Sequence, residues 1–233
     1  MNQKQRRDPD RATVDPALLN HQREHWDQTF TAHPDMFGVA ASAPAQAAAS
    51  VFLSEGKGDL LELGAGQGRD TLFFARQGLR VHALDYADAS VTEIRAKAAA
   101  AGLASLITTT RHDVREPLPF ANDCFDACFA HMLFCMALTT PELERLAAGV
   151  RRVLRPGGLL VYTVRTTADA HFGAGIARGD DLYEMGGFIV HFFDRPLVDC
   201  LATGYAIVEV VDFEEGELPR RLFRVAQRKT TRV

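Results

Sequence analysis

The residues with the clearest chemical potential stand together at Glu62-Leu63-Gly64-Ala65-Gly66-Gln67-Gly68. Glycine tolerates positive φ and has no Cβ, so a ligand can lie directly against such a turn. A helix starting there would also offer N–H groups that lack intrahelical partners. Asp85 follows 17 residues after Gly68, where a carboxylate can accept both hydroxyls of a ribose. Its plainer alternative is a helix cap or a surface charge. Asp113 stands between His112 and Val114. A carboxylate there can accept from a purine amino group, with the Val114 N–H beside it; the plainer alternative is a turn residue. Together these residues point to a nucleoside ligand.

The elements that must position them alternate between strand and helix. Residues 59–63 read as a short buried strand, and the glycine turn leads into a helix over 69–77 that Gly78 ends. Strands follow at 79–84, 106–110, 125–130 and 159–164, with helices at 87–101 and 141–154. Pro141 is acceptable in the first turn of its helix. This alternation predicts an α/β fold, a mostly parallel sheet with helices on both faces. A short helix at 196–202 precedes strand-like runs at 205–213 and 222–226 with no helix between them, which predicts an antiparallel C-terminal hairpin. Residues 1–15 read as a flexible charged lead and 16–56 as a helical N-terminal cover, with helices at 17–33 and 45–53. Leu18, Leu19, Trp26 and Phe30 are the apolar positions of the first helix. The main domain spans 57–230, with an irregular, glycine-rich insert at 166–193 near the substrate site.

The chain has 233 residues, 47% of them apolar and 24% charged, enough for one α/β domain with a modest extension. The net charge of −4 and the scattered Lys and Arg residues argue against a nucleic-acid partner. No apolar run reaches the roughly 18–20 residues of a spanning helix, and the polar start lacks a signal-peptide core, so no membrane partner and a cytoplasmic location are expected. The four cysteines, Cys124, Cys128, Cys135 and Cys200, form no CxxC pair, and no metal site is expected. Capture of a soft metalloid by Cys124, Cys128 and Cys135 is a minor alternative to packing as free thiols.

Glu62 decides what the nucleoside carries. Dinucleotide folds favour GxGxxG, whereas the spacing here is GxGxG, and a carboxylate before the turn repels a pyrophosphate and suits a cation. The sulfonium and ammonium of S-adenosylmethionine fit; no GxxxxGK[ST] phosphate loop occurs. Residues 62–68 resemble the first motif of the class I S-adenosylmethionine-dependent methyltransferases. Leu84-Asp85 resembles the second and His112-Asp113-Val114 the third. Phe125-Asp126 followed by His131-Met132-Leu133 resembles the fourth-strand segment, and Leu154-Arg155-Pro156-Gly157-Gly158 the turn before the fifth strand. The resemblance covers roughly residues 58–165 and implies a Rossmann-like, seven-stranded sheet with its last strand inserted antiparallel. It implies S-adenosyl-L-methionine as methyl donor and S-adenosyl-L-homocysteine as product. The cofactor-binding residues expected are Trp26, Glu62, Gly64, Ala65, Gly66, Arg69, Asp85, Tyr86, His112, Asp113, Val114, His131 and Met132. Within the class, Gly66-Gln67-Gly68-Arg69-Asp70 is similar to the tellurite-resistance and thiopurine methyltransferase-like group, which acts on soft atoms of small molecules. Gly216-Glu217-Leu218-Pro219-Arg220-Arg221 is similar to a Gly-Glu-Leu-His-Arg stretch of the tellurite-resistance enzymes, with Pro219 in place of the His. A base there is lost, while Arg220 could hold an anion.

Ligands of open α/β sheets lie beyond the carboxyl ends of the strands. That selects His131, Met132, Phe134, Arg165, Thr166, His171 and Phe172 as acceptor-site lining. The front segment adds Trp26, Phe30, Met36 and Phe37, and the insert adds Tyr183, Phe188 and His191. His131 is the candidate base, and with Arg165 and Arg220 completes the expected catalytic set. Trp26 is a candidate lid. His191, in an apolar run, reads first as a core histidine. The expected activity is methyl transfer to a small-molecule acceptor, possibly a thiol or metalloid oxyanion, by a monomer or homodimer. The alternatives are methylation of a protein or RNA, a cofactor-binding protein without transfer activity, and an NAD-dependent oxidoreductase.

Overall fold

The computed structural model describes residues 16–34, 36–216 and 220–231. The expected flexible lead, Pro219 and the side chain of Leu19 lie outside the described parts. In chain order the elements are α1 (Pro16–Ala32), α2 (Ala43–Ser54), β1 (Asp59–Leu63), α3 (Arg69–Arg76), β2 (Arg80–Asp85), α4 (Asp88–Ala100), β3 (Ile107–Arg111) and β4 (Phe125–His131). They continue with α5 (Thr140–Val153), β5 (Leu154–Arg165), β6 (Ile176–Gly179), β7 (Leu182–Met185), β8 (Phe188–His191), α6 (Arg195–Leu201), β9 (Tyr205–Glu215) and β10 (Arg220–Lys229).

Seven strands form one sheet in the order β3-β2-β1-β4-β5-β10-β9. The first five are parallel, and β10 is antiparallel to both neighbours. This is the expected Rossmann-like sheet with its antiparallel C-terminal hairpin. Because β5 and β9 each run opposite to β10, β9 is parallel to β5, and its last residue, Glu215, lies at the carboxyl edge of the sheet.

The central strands are apolar because both faces are covered. On one face, Leu61, Cys128, Leu160 and Tyr162 pack against Leu143, Leu146, Val150 and Val198 from α5 and α6. On the other, Leu60, Phe129 and Val161 pack against Phe52 of α2 and Phe74 of α3. Helix α5 buries Leu143, Leu146, Ala147, Val150 and Val153, one stripe at helical spacing. Its start is fixed by Glu142, whose carboxylate accepts from the Thr139 N–H and hydroxyl, both at 2.7 Å.

Three expectations change. Helix α2 buries Ala45, Ala48, Ala49 and Phe52 in the core, so α1 and the loop after it make up the cover. Strand β5 begins at Leu154, and Arg155-Pro156-Gly157-Gly158 is a register shift within it. The insert holds a three-stranded antiparallel sheet, β6-β7-β8. Its glycines and aspartates mark tight hairpin turns: Asp180 and Asp181 have φ of 51° and 57°, and Gly186 and Gly187 have 58° and 83°.

Candidate active site

A cavity of about 670 Å³ opens at the carboxyl edge of the sheet, floored by the glycine turn and covered by α1, the loop after it and β8. All thirteen expected cofactor-binding residues border it, as do Arg165 and Arg220.

The turn is not a phosphate cradle. The N–H groups of Gly64 and Ala65 donate to the Leu84 carbonyl at 2.8 and 3.0 Å, and Gly68 N–H donates to Ala65 at 3.0 Å. The Gly66 N–H donates to Asp85 Oδ2 at 2.8 Å. These four amides of the turn are spent on protein acceptors, whereas the donors at the start of α3 are those of Arg69, Asp70 and Thr71. The glycines also divide their work. A Cβ on Gly68, at φ 82°, would sit 2.7 Å from Ile94 of α4, so this glycine serves helix packing. A Cβ on Gly66 would point toward Phe30 and Phe37 at 3.8 Å, in the cavity wall.

The acids differ in how far they are already committed. Glu62 is buried and accepts from Thr71 Oγ1 at 2.5 Å. Burial and neighbouring Asp70 push its carboxyl up to about 8. Asp70 accepts from the Ser42 N–H and hydroxyl at 2.7 and 2.8 Å, tying α3 to the start of α2. Asp85 takes the Gly66 and Ala87 N–H groups, one on each oxygen, and so ties the glycine turn to the residue that precedes α4 rather than capping that helix. Burial raises its carboxyl. Each oxygen keeps a second lone pair for a ribose hydroxyl. Asp113 is gripped by Arg115, whose backbone N–H reaches Oδ1 at 3.0 Å and whose Nη2 reaches Oδ2 at 2.6 Å. Burial pushes Asp113 up, but the Arg115 hydrogen bonds outweigh it and hold the carboxyl low. Arg115 Nη2 also reaches Asn20 of α1 at 3.0 Å.

At the other end, β4 finishes on His131, and Met132 turns the chain with φ 62°, a left-handed conformation costly for a non-glycine residue. His131 Nδ1 lies 2.8 Å from Thr163 Oγ1, and Nε2 lies 3.5 Å from Glu215 Oε2. The hydrogen bond from His131 holds Glu215 below the usual carboxylate range, against the effect of burial. Arg165 is a strut rather than a free anion binder. Its guanidinium meets Asp169 at 2.5 Å and His171 Nδ1 at 2.6 Å, and stacks 5.1 Å over Phe192. A guanidinium can only donate, so His171 Nδ1 accepts and its ring proton sits on Nε2. Arg220 is exposed at the cavity mouth.

Two glutamines also clasp the cover. Gln22 of α1 donates to Gly187 O at 2.8 Å and accepts from Ile189 N at 3.1 Å, pinning α1 to the insert. Gln67 of the glycine turn accepts from Met36 N and donates to His33 O, both at 3.0 Å. Trp26 packs on Phe188 and Phe30, with centroids 4.6 and 5.1 Å away.

Five expected lining residues stand elsewhere. Phe134 stacks on Tyr162 in the core, Thr166 is buried beside β10, and Phe172 and Tyr183 pack on Phe192. His191 is a satisfied core histidine, 2.7 Å from Leu138 O. Sequence reasoning missed Gln22, Gln67, Asp70, Arg115, Met136, Met185 and Glu215. The signal for Glu215 was its place at the end of the strand before the C-terminal hairpin turn. Cys128 and Cys135 are buried, and burial raises both thiols, that of Cys135 to about 12. Both therefore stay protonated, which argues against metalloid capture. Among the described residues, no group of three His, Cys, Asp or Glu side chains could hold a metal ion.

Residues 60–158 match the family model of the methyltransferase domain. That domain takes in the glycine turn, Asp85, Asp113 and the end of β4, whereas the cover, the insert and the hairpin lie outside the match. No curated protein matches the chain in sequence. Among solved structures, the 1,6-didemethyltoxoflavin N1-methyltransferase of Burkholderia thailandensis, with 1,6-didemethyltoxoflavin and S-adenosylhomocysteine bound, is similar. Its TM-score is 0.73 at 20% identity, over 96% of this chain and 97% of that one. The N-methyltransferase NodS of Bradyrhizobium japonicum WM9, in complex with S-adenosylhomocysteine, gives 0.68 at 15% identity, covering 90% and 98%. The [4+2]-cyclase SpnF gives 0.68 at 17%, covering 95% and 99%. At these identities the likeness is one of fold.

Proposed function

We propose that the chain is an S-adenosylmethionine-dependent methyltransferase that acts on a small molecule. The observation that carries this reading is the turn itself: the amides of Gly64, Ala65, Gly66 and Gly68 are spent within the protein while the buried acids Glu62 and Asp70 stand beside it. Such a turn suits a cationic ligand and offers little to a phosphate. The residues fit the cofactor elsewhere too. His112 Nε2 is buried without a partner in the wall, a polar atom that adenine could satisfy. Glu62, Gly64, Ala65 and Gly66 would hold the methionine half, with Arg69, Trp26, His131 and Met132 around it. Asp85 and Tyr86 would hold the ribose, and His112, Asp113 and Val114 the adenine.

S-adenosylmethionine supplies an activated methyl carbon on a sulfonium and leaves as S-adenosylhomocysteine. What the protein adds is alignment and exclusion of water. The aromatic cover of Trp26, Phe30, Phe37 and Phe188 does the second. The cavity volume lies in the range of small-molecule sites, and the cover across it disfavours a macromolecular acceptor. No helix among the described residues is long and apolar enough to cross a membrane. The likeness to the tellurite-resistance group favours a thiol or a metalloid oxyanion, whereas the acceptor half of the cavity favours another chemistry, argued below.

Calorimetry with S-adenosylmethionine, S-adenosylhomocysteine and NAD tests the reading: the first two bind and NAD does not. Binding of NAD alone would overturn it. A cofactor-binding protein without transfer activity, the second reading, is favoured by the shared fold of the [4+2]-cyclase. It predicts cofactor binding with no release of S-adenosylhomocysteine across thiols, metalloid oxyanions, amines and phenols.

A further inference from the structure

The acceptor end of the cavity contains an ionisable group outside both the glycine motif and the family resemblance. Glu215 ends β9 at the carboxyl edge of the sheet, past Phe213, which is level with Arg165 at the end of β5. Its neighbour is His131, and the ring of His131 is fully engaged. Thr163 Oγ1 accepts the Met132 N–H at 2.9 Å, lies 2.8 Å from His131 Nδ1 and has a hydroxyl proton to offer it. Nε2 lies 3.5 Å from Glu215 Oε2, and because an ionised carboxylate can only accept, the ring proton belongs on Nε2. No lone pair of the ring remains to take a proton from an acceptor. Glu215 is in the opposite position: one oxygen faces His131, and no other hydrogen bond reaches the carboxylate among the described residues. The hydrogen bond from His131, with the charges of Arg69 and Arg220 nearby, holds its carboxyl below the usual carboxylate range against the effect of burial. The cavity it borders is also lined by the apolar side chains of Met136, Met185, Phe188 and Val190.

We propose that Glu215, positioned by His131, meets the methyl acceptor, and that the acceptor is an amine or N–H heterocycle with an apolar body. This rests on the methyltransferase reading above. A neutral nitrogen attacks with its own lone pair, which forms the new bond to the methyl carbon. The electron pair of the broken carbon–sulfur bond stays on sulfur. Positive charge develops on the nitrogen and makes its N–H acidic enough for a carboxylate to accept. The proton passes to Glu215 and then to solvent at the mouth. An alcohol would need a stronger base before attack. A thiolate or metalloid oxyanion has no proton to give and would meet the carboxylate as a like charge.

The test is calorimetry on the S-adenosylhomocysteine-saturated protein with benzimidazole and 1-methylbenzimidazole, which differ in the N–H alone. The wild type should prefer benzimidazole by about tenfold or more, the worth of a hydrogen bond to a charged group. In E215M the preference should vanish while S-adenosylhomocysteine affinity stays within about threefold, which shows a folded cofactor half. H131Q keeps a donor for Glu215 and should keep most of the preference; H131L should lose most of it. Equal binding of the two rings by the wild type, binding of neither at millimolar concentration, or a preference that survives in E215M overturns the proposal. Failure of S-adenosylhomocysteine to bind the wild type would instead overturn the cofactor reading, and this proposal with it.

Discussion

The end of the cavity proposed for the cofactor draws Glu62, Gly64, Gly66, Asp85 and Asp113 from the ends of three neighbouring parallel strands and the turns after them. The acceptor end draws Gln22 from α1, His131 from β4, Arg165 from β5, Phe188 from the insert, and Glu215 and Arg220 from the C-terminal hairpin. One end is local in sequence, and its side chains are already tied to the turn they flank. The other is assembled from distant segments joined by single side-chain clasps. The first kind of site tolerates little change and advertises itself as a motif. The second can be rebuilt for a new acceptor without disturbing the donor half.

The sharpest way to break this comparison is D85A. Asp85 would lose both its turn amide and its ribose contacts, so cofactor affinity should fall by about 100-fold or more by calorimetry. An unchanged affinity would remove the ribose assignment. Next comes G68A, which places a Cβ against Ile94 at positive φ and should cost about 1–3 kcal/mol in urea unfolding. The double variant G68A/I94A should lose less than the sum of the two single changes, because the shorter side chain makes room; strict additivity would assign the cost of G68A to backbone strain alone.

A smaller effect concerns Glu62 and carries a definite sign. With its carboxyl raised to about 8, it is largely protonated at neutral pH in the free protein, and a bound cation favours its ionised form. Binding then releases a proton, so affinity for S-adenosylmethionine should rise between pH 6 and 7.5, by up to about tenfold per unit. E62Q should be flat over that window. Folding shows the opposite trend. A carboxyl whose folded pKa is raised stabilises the fold at low pH, and that stability is lost as pH climbs from its unfolded value toward 8. The difference in stability between wild type and E62Q, followed by urea unfolding, should therefore shrink across that range. The smallest effect should come from Q22A, which unpins α1 from the insert. Hydrogen exchange at the Ile189 amide should quicken several-fold, with cofactor affinity within about threefold of wild type.

The donor half was legible for the same reason that it is rigid. Strand, glycine turn and helix follow one another directly, and Asp85 and Asp113 end the next strands, so spacing alone located them. What spacing could not show was prior commitment. The gripping of Asp113 by Arg115 and the spending of Arg165 on Asp169 depend on side chains meeting within loops. Tyr183 and His191 lie on strands whose hairpin turns were read as irregular loop, so the two faces of that small sheet could not be told apart. Glu215 depended on the direction of β9, and that follows only once β10 is known to insert between β5 and β9.

Gly68 belongs to the glycine motif by position and to the contact between α3 and α4 by geometry. Positions 68 and 94 are thus one unit of variation. In relatives of this chain, a larger residue at the third glycine should occur together with a smaller one at the position of Ile94, whatever nucleoside the turn has kept.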